Sequence, residues 1–175
     1  MIFLGWMTSS LIVPRISDIY GRKKLFLAFQ VLQVLSILAL MNSDHIASAL
    51  LCLFSIGFAG VGRSPIVYIY MQELLTPEYQ KIAGSLFGVS CAVSLAFGTA
   101  FLQLVSKDAL MIFYVSVGLS VFAVFVTSLF IPESPKYLFA TGQYERCREV
   151  LGYISRVNGQ DASKFKSVRF SQEDN

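Results

Sequence analysis

Three stretches of the chain, 25–43, 82–106 and 109–132, contain no Asp, Glu, Lys or Arg at all. Each approaches or exceeds the roughly 20 apolar residues that carry a helix across a bilayer core. None returns the polar face that a soluble amphipathic helix shows every turn. A fourth apolar stretch, 46–71, is broken only by Arg63, and a fifth, 1–14, is short. The pattern predicts five transmembrane helices at about 1–14, 25–42, 46–71, 82–105 and 109–131. At about 1.5 Å rise per residue, the first covers only about 20 Å, so it reads as a helix truncated at its start. It has no basic leading region and no small-residue cleavage site, which argues against a signal peptide. After residue 131 the chain turns polar. Within 141–157, Tyr144, Cys147, Leu151, Ile154 and Val157 recur at three- and four-residue spacing, predicting an amphipathic helix. Residues 132–158 thus form a polar-face segment, and 159–175 read as a polar linker.

Composition agrees with this all-α, polytopic membrane helix bundle. Apolar residues make up 55% of the chain and charged residues 14%, against roughly 25% charged in soluble domains; mean hydropathy is +0.62. The placement of charge sets the topology. The segment 15–24 carries Arg15, Arg22, Lys23 and Lys24, and the tail beyond Ile131 adds seven basic residues. The links at 42–45 and 106–108 carry only Lys107. The excess of basic residues on cytoplasmic loops then puts 15–24, 72–81 and the C-terminus inside and Met1 outside, in a plasma or organelle membrane. A net charge of +3 with no basic stripe gives no indication of a nucleic-acid partner. Three scattered cysteines, Cys52, Cys91 and Cys147, suit neither a disulfide framework nor a metal site. His45, in a short connector, reads as an exposed loop residue, and the chain calls for no cofactor.

The segment Pro14-Arg15-Ile16-Ser17-Asp18-Ile19-Tyr20-Gly21-Arg22-Lys23-Lys24 packs a turn glycine, an acid and three bases between two spans. It resembles the loop between the second and third transmembrane helices of the major facilitator superfamily, G-x-x-x-D-x-x-G-R-[RK]-[RK]. Asp18, Gly21, Arg22, Lys23 and Lys24 match, and Pro14 stands where the leading glycine is usual. Pro132-Glu133-Ser134-Pro135-Lys136-Tyr137-Leu138 is similar to the P-E-S-P-R-[WY]-L motif that follows the sixth helix of sugar porters and organic-ion carriers, with Lys136 for the arginine. Glu73-x-x-x-Pro77-x-x-x-Lys81 is similar to the acidic–proline–basic pattern after the fourth helix, and 143–159 to the surface helix of organic-cation and organic-anion carriers. The resemblance covers about residues 1–159 and numbers the spans as helices two to six of an N-terminal half. It implies that a first helix and a C-terminal half lie outside this sequence. It also implies alternating access, with Asp18, Gly21, Arg22, Lys23, Glu73, Lys81, Glu133 and Lys136 forming a cytoplasmic gate network.

Arg63 stands near the middle of a span, where a charge costs ~2.5–3.5 kcal/mol on insertion scales. Pro65 and Gly57, Gly60 and Gly62 loosen and thin the helix around it. Arg63, with Tyr68 and Tyr70 beyond it, is therefore a candidate substrate-binding group facing a central cavity. The alternatives are that it balances a buried carboxylate, or pairs structurally with the absent half. The arginine that many family members carry on this helix would lie nearer Leu53 or Phe54, so Arg63 does not inherit that role. Gly84-x-x-x-Gly88 and Ser90-x-x-x-Ser94-x-x-x-Gly98 predict close helix packing. No nucleophile, histidine cluster or carboxylate dyad lies within a span, which speaks against an enzyme. The expected function is transport of a small organic solute, organic ion or sugar-like, by alternating access as part of a larger carrier. A coupling ion is possible, although no acidic residue within a span offers it a site. The alternative is a truncated, non-transporting membrane protein, a sensor or a remnant of a carrier.

Overall fold

The computed structural model describes residues 1–104 and 109–159. The predicted link at 106–108 and the tail from 160 on lie outside the described residues. The described chain folds into seven helices and no strand: α1 (Ile2–Tyr20), α2 (Arg22–Met41), α3 (Ile46–Leu74), α4 (Pro77–Leu104), α5 (Ala109–Phe130), α6 (Pro135–Ala140) and α7 (Tyr144–Val157). Four of them, α2 to α5, are long and apolar enough to cross a bilayer. The 19-residue α1 carries Arg15 and Asp18 in its last turns.

The helices run further than the hydropathy pattern predicts. Pro14 does not end the first helix; it sits inside α1. A proline removes one backbone donor and kinks a helix, but neighbouring helices in a membrane bundle hold such a segment together. The basic loop read at 15–24 is helical except for Gly21, whose φ of 97° is the sole break between α1 and α2. The loop read at 72–81 shrinks to Leu75 and Thr76, because Pro77 opens α4. Proline suits the first helical position, where its missing N–H would have had no acceptor. The Pro135 motif likewise starts a short helix, α6, whose N-cap Ser134 accepts from the Tyr137 amide at 3.3 Å.

Packing is organised around α3, which lies against both α1 and α2. The buried face of α1 is Gly5, Ser9, Val13 and Ser17, one residue in four. That spacing stacks small side chains on a single stripe and lets two backbones meet. A Cβ on Gly5 would lie 2.3 Å from the Phe54 carbonyl oxygen, and one on Gly57 would lie 2.2 Å from that of Ile2. Below this contact, Val13, Phe29, Ala59 and Ile66 form the buried core, with Leu25, Phe26 and Phe58 packed around it. The small-residue stripe on α4 behaves differently. Gly88 has open space beside it, Gly98 meets only Ile112, and α4 buries no residue. Ser90 and Ser94 donate to their own helix, to the Phe87 and Ser90 carbonyls.

The close approach of α1 to α3 leaves no room for a side chain. Gly57→Val should therefore lower stability by roughly 3 kcal/mol or more, at the upper end of overpacking costs. Gly118→Val, with nothing within 4 Å of its Cβ position, should stay within about 0.5 kcal/mol of the parent. Thermal unfolding of the two variants in one detergent distinguishes them.

Candidate functional site: the Arg22 charge cluster

At the predicted cytoplasmic end, the α1–α2 break, the end of α3 and the start of α6 converge. Gly21 makes this possible twice over. Its positive φ is a region that side-chain-bearing residues rarely adopt. Its missing Cβ also leaves room for Glu133 and Tyr137, whose Oε2 and Cε1 would otherwise stand 2.9 and 3.0 Å away.

Arg22, the first residue of α2, is the hub. Its Nη2 lies 2.8 Å from the Asp18 carboxylate and 3.2 Å from that of Glu73. Its Nη1 donates to the Ser17 carbonyl at 3.3 Å, and its guanidinium lies 5.6 Å from the centre of the Tyr137 ring. The two ion pairs are unequal. The Asp18 side chain is 70% exposed, whereas those of Arg22 and Glu73 are only 12% and 6% exposed. The Arg22–Glu73 pair is thus shielded from water, where charges interact more strongly and an orphaned partner is most costly. Glu73 Oε2 also accepts from the Ser134 hydroxyl at 2.5 Å, tying α3 to α6.

Glu133 takes a different part from the one its charge suggests. Its Oε1 accepts from the backbone amides of Lys23 at 2.9 Å and Ser134 at 3.2 Å. It therefore satisfies an N–H of the first turn of α2, where a carboxylate also meets the positive end of the helix dipole. The Lys23 ammonium donates to the Ser128 carbonyl at 2.9 Å near the end of α5. That contact places a cation at the negative end of another helix. The Tyr137 hydroxyl donates to the Ile19 carbonyl at 3.0 Å. Lys81 and Lys136 are exposed and form no ion pair among the described residues. Lys136 borders an open hollow of about 350 Å³ together with Tyr68, Gln72, Glu73 and Gln80.

The three candidate substrate residues do not come together. Tyr70 donates to the Pro132 carbonyl and belongs to the Arg22 cluster. Tyr68 is exposed and lies 5.8 Å, ring to ring, from Phe87 on α4. Arg63 points towards α2, where its Nη1 donates to Gln30 Oε1, and Gln30 Nε2 donates on to the Ser120 carbonyl of α5 at 3.3 Å. Among the described residues no carboxylate pairs with Arg63.

Several members of these networks carry no charge and escaped the sequence reading: Ser17, Gln30, Ser134 and Tyr137. Signals existed for three of them. Ser-Pro at 134–135 is a helix-start pattern, and a glutamine inside an apolar span is commonly an interhelical hydrogen-bonding group. Tyr137 stands at the aromatic position of the 132–138 motif and acts through its ring and its hydroxyl, whereas Ser17 acts through a carbonyl, which no residue pattern marks. On α7, Cys147 is buried and its thiol donates to the Pro135 carbonyl at 3.4 Å. Burial pushes that thiol above its ordinary value, with Arg148 opposing, so Cys147 sits as a packed neutral group. No cluster of metal-ligating residues occurs among the described residues.

The joined Asp18, Glu73 and Glu133 motifs invite comparison with known carriers. Over 165 residues, 93% of this chain and 30% of the relative, the sequence is 29% identical to solute carrier family 22 member 15 of Xenopus tropicalis. Over 159 residues, 89% of this chain and 34% of the relative, it is 24% identical to a D-xylose transporter of Levilactobacillus brevis. The chain thus spans about a third of the length of each. The sequence pattern of the family described as sugar (and other) transporter matches residues 1–174. With its all-helical, multi-pass fold, the chain belongs to the sugar (and other) transporter family.

Proposed function

We propose that this chain forms part of a carrier that moves a small organic solute, an organic ion or a sugar-like molecule, across a membrane by alternating access. In this reading the Arg22 cluster is the latch at its inner end. The observation that carries it is the shielded Arg22–Glu73 pair. It is fastened to α6 through Ser134, so one buried ion pair ties together the ends of three helices and the segment after α5. Such a joint holds firmly when complete and is strongly destabilised by loss of one partner. That is the behaviour required of an element that switches between two arrangements. The first helix, the C-terminal half and a coupling ion complete the proposal as its partners. The C-terminus lies in the cytoplasm.

The two carboxylates around Arg22 should differ in weight. Glu73→Gln leaves a buried cation with one exposed partner, and should loosen the cluster by roughly 3 kcal/mol or more. Asp18→Asn removes an exposed pair four residues apart, worth about 0.3–0.5 kcal/mol. Distances between spin labels at Lys24 and Lys136 report the outcome. Glu73→Gln should broaden and lengthen the distribution, and Asp18→Asn should leave it nearly unchanged. Equal effects of the two variants would remove the latch reading.

Arg63 is proposed to meet an anionic or hydrogen-bonding group of the solute. Its support is that this intramembrane cation is held by a neutral glutamine, leaving its charge uncompensated among the described residues. Uptake measured over a panel of organic anions, organic cations and sugars should show Arg63→Gln weakening anionic solutes about tenfold or more, since a charged hydrogen bond is worth about 1.5–3 kcal/mol. Unaltered affinity and turnover across the panel would sink that role.

A further inference from the structure

Arg63 is a cation inside an apolar helix, and what holds it there decides what else it can meet. A long basic side chain in a membrane helix swings its charged end towards the nearest interface unless the bundle keeps it. The group that keeps it is Gln30 of α2. Its Oε1 accepts from Arg63 Nη1, and its Nε2 donates to the Ser120 carbonyl of α5 at 3.3 Å. Together the two contacts fix the sense of the amide. A guanidinium only donates and a carbonyl only accepts, so a flipped amide would set donor against donor and acceptor against acceptor. Gln30 is 2% exposed and Ser120 8%, which leaves little room for water to replace either contact.

The neutrality of this partner matters as much as its grip. A carboxylate in the same place would hold the guanidinium and cancel its charge, whereas an amide holds it and leaves the charge in force. Gln30 also takes one corner only. Arg63 Nε and Nη2 make no hydrogen bond among the described residues, and neither is fully enclosed. These two nitrogens form the side-on fork of the guanidinium, an edge that can meet both oxygens of a carboxylate at once. We propose that Gln30 is the positioning residue of Arg63. It pins Nη1 within the bundle, preserves the charge, and leaves the Nε/Nη2 edge to an oxyanion of the solute. Gln30 thereby sets a preference for anionic over neutral solutes without touching either. This role rests on Arg63 meeting the solute, and assigns the selectivity of that contact to a second residue on another helix.

The test measures uptake of radiolabelled benzoate, and of benzamide as a neutral molecule of nearly the same shape, by vesicles holding the full-length carrier. The parent should prefer benzoate. Gln30→Met, which keeps the volume and removes both contacts, should raise the benzoate KM about tenfold or more and leave kcat and benzamide uptake little changed. Gln30→Glu, which keeps the grip and cancels the charge, should raise it at least as far. In an Arg63→Gln background neither substitution should move the benzoate-to-benzamide ratio further, because the effect runs through Arg63. Should Gln30→Glu not fold, Gln30→Met and its double variant decide. Equal loss of both solutes in Gln30→Met marks a merely structural glutamine and overturns the proposal, as does an unchanged benzoate KM. The two roles can be told apart. A parent without preference for benzoate, or an Arg63→Gln variant that keeps it, removes the solute role of Arg63 and that of Gln30 with it. A preference lost in Arg63→Gln but kept in Gln30→Met removes the role of Gln30 alone.

Discussion

The end of the bundle where α1, α2, α3 and α6 meet depends on one guanidinium held out of water. Arg22 opens α2, and its planar set of donors engages side chains and a carbonyl from α1 and α3 at once. An ammonium on a flexible stem offers a point charge with no fixed directions. A fork of fixed donors instead dictates where its acceptors must stand. The end of α3 is held by the depth of Glu73, and α6 is held in turn because Ser134 needs the second oxygen of that carboxylate. The charge cannot leave this environment cheaply, so neither can the helices attached to it.

Away from the cluster, the bundle is made by absence rather than by bulk. Where α1 meets α3, glycine brings main chains within van der Waals reach, which raises dispersion contact where lipid supplies no hydrophobic drive. The small-residue pattern on α4 meets only side chains, Tyr68 and Gln72 at Gly84 and Ile112 at Gly98, with Gly88 open, and the helix touches its neighbours lightly. Small residues permit approach; they do not by themselves choose which helix approaches.

This separates what was legible in the chain from what was not. Charge-free runs of bilayer length are a bulk property of a segment, and four of the five predicted spans appear as long apolar helices at nearly the predicted positions. Helix ends are local chemistry, and there two prolines took opposite parts: Pro14 lies within a helix and Pro77 begins one. Thr76-Pro77 is a helix-start pattern that a local window holds, whereas Pro14 follows apolar Val13 and is carried inside α1 by its neighbours in the fold, which no window of sequence contains. The site divides the same way. Asp18, Gly21, Arg22, Lys23, Glu73 and Glu133 converge, and it was the family resemblance of their motifs that marked them as a group. Lys81 and Lys136 carry the right charge at the right interval yet stand in solvent, because motif spacing fixes position along a helix end and not the direction of a flexible side chain. Arg63 was identifiable as costly, but its neutral partner Gln30 sits 33 residues away.

The way Glu133 holds α2 has a consequence for how this joint tolerates change. Its oxygen reads the main-chain amides of residues 23 and 134, groups that every residue except proline possesses. Nearly any side chain can therefore occupy position 23 without disturbing this contact, whereas no alteration at that position except proline can remove it.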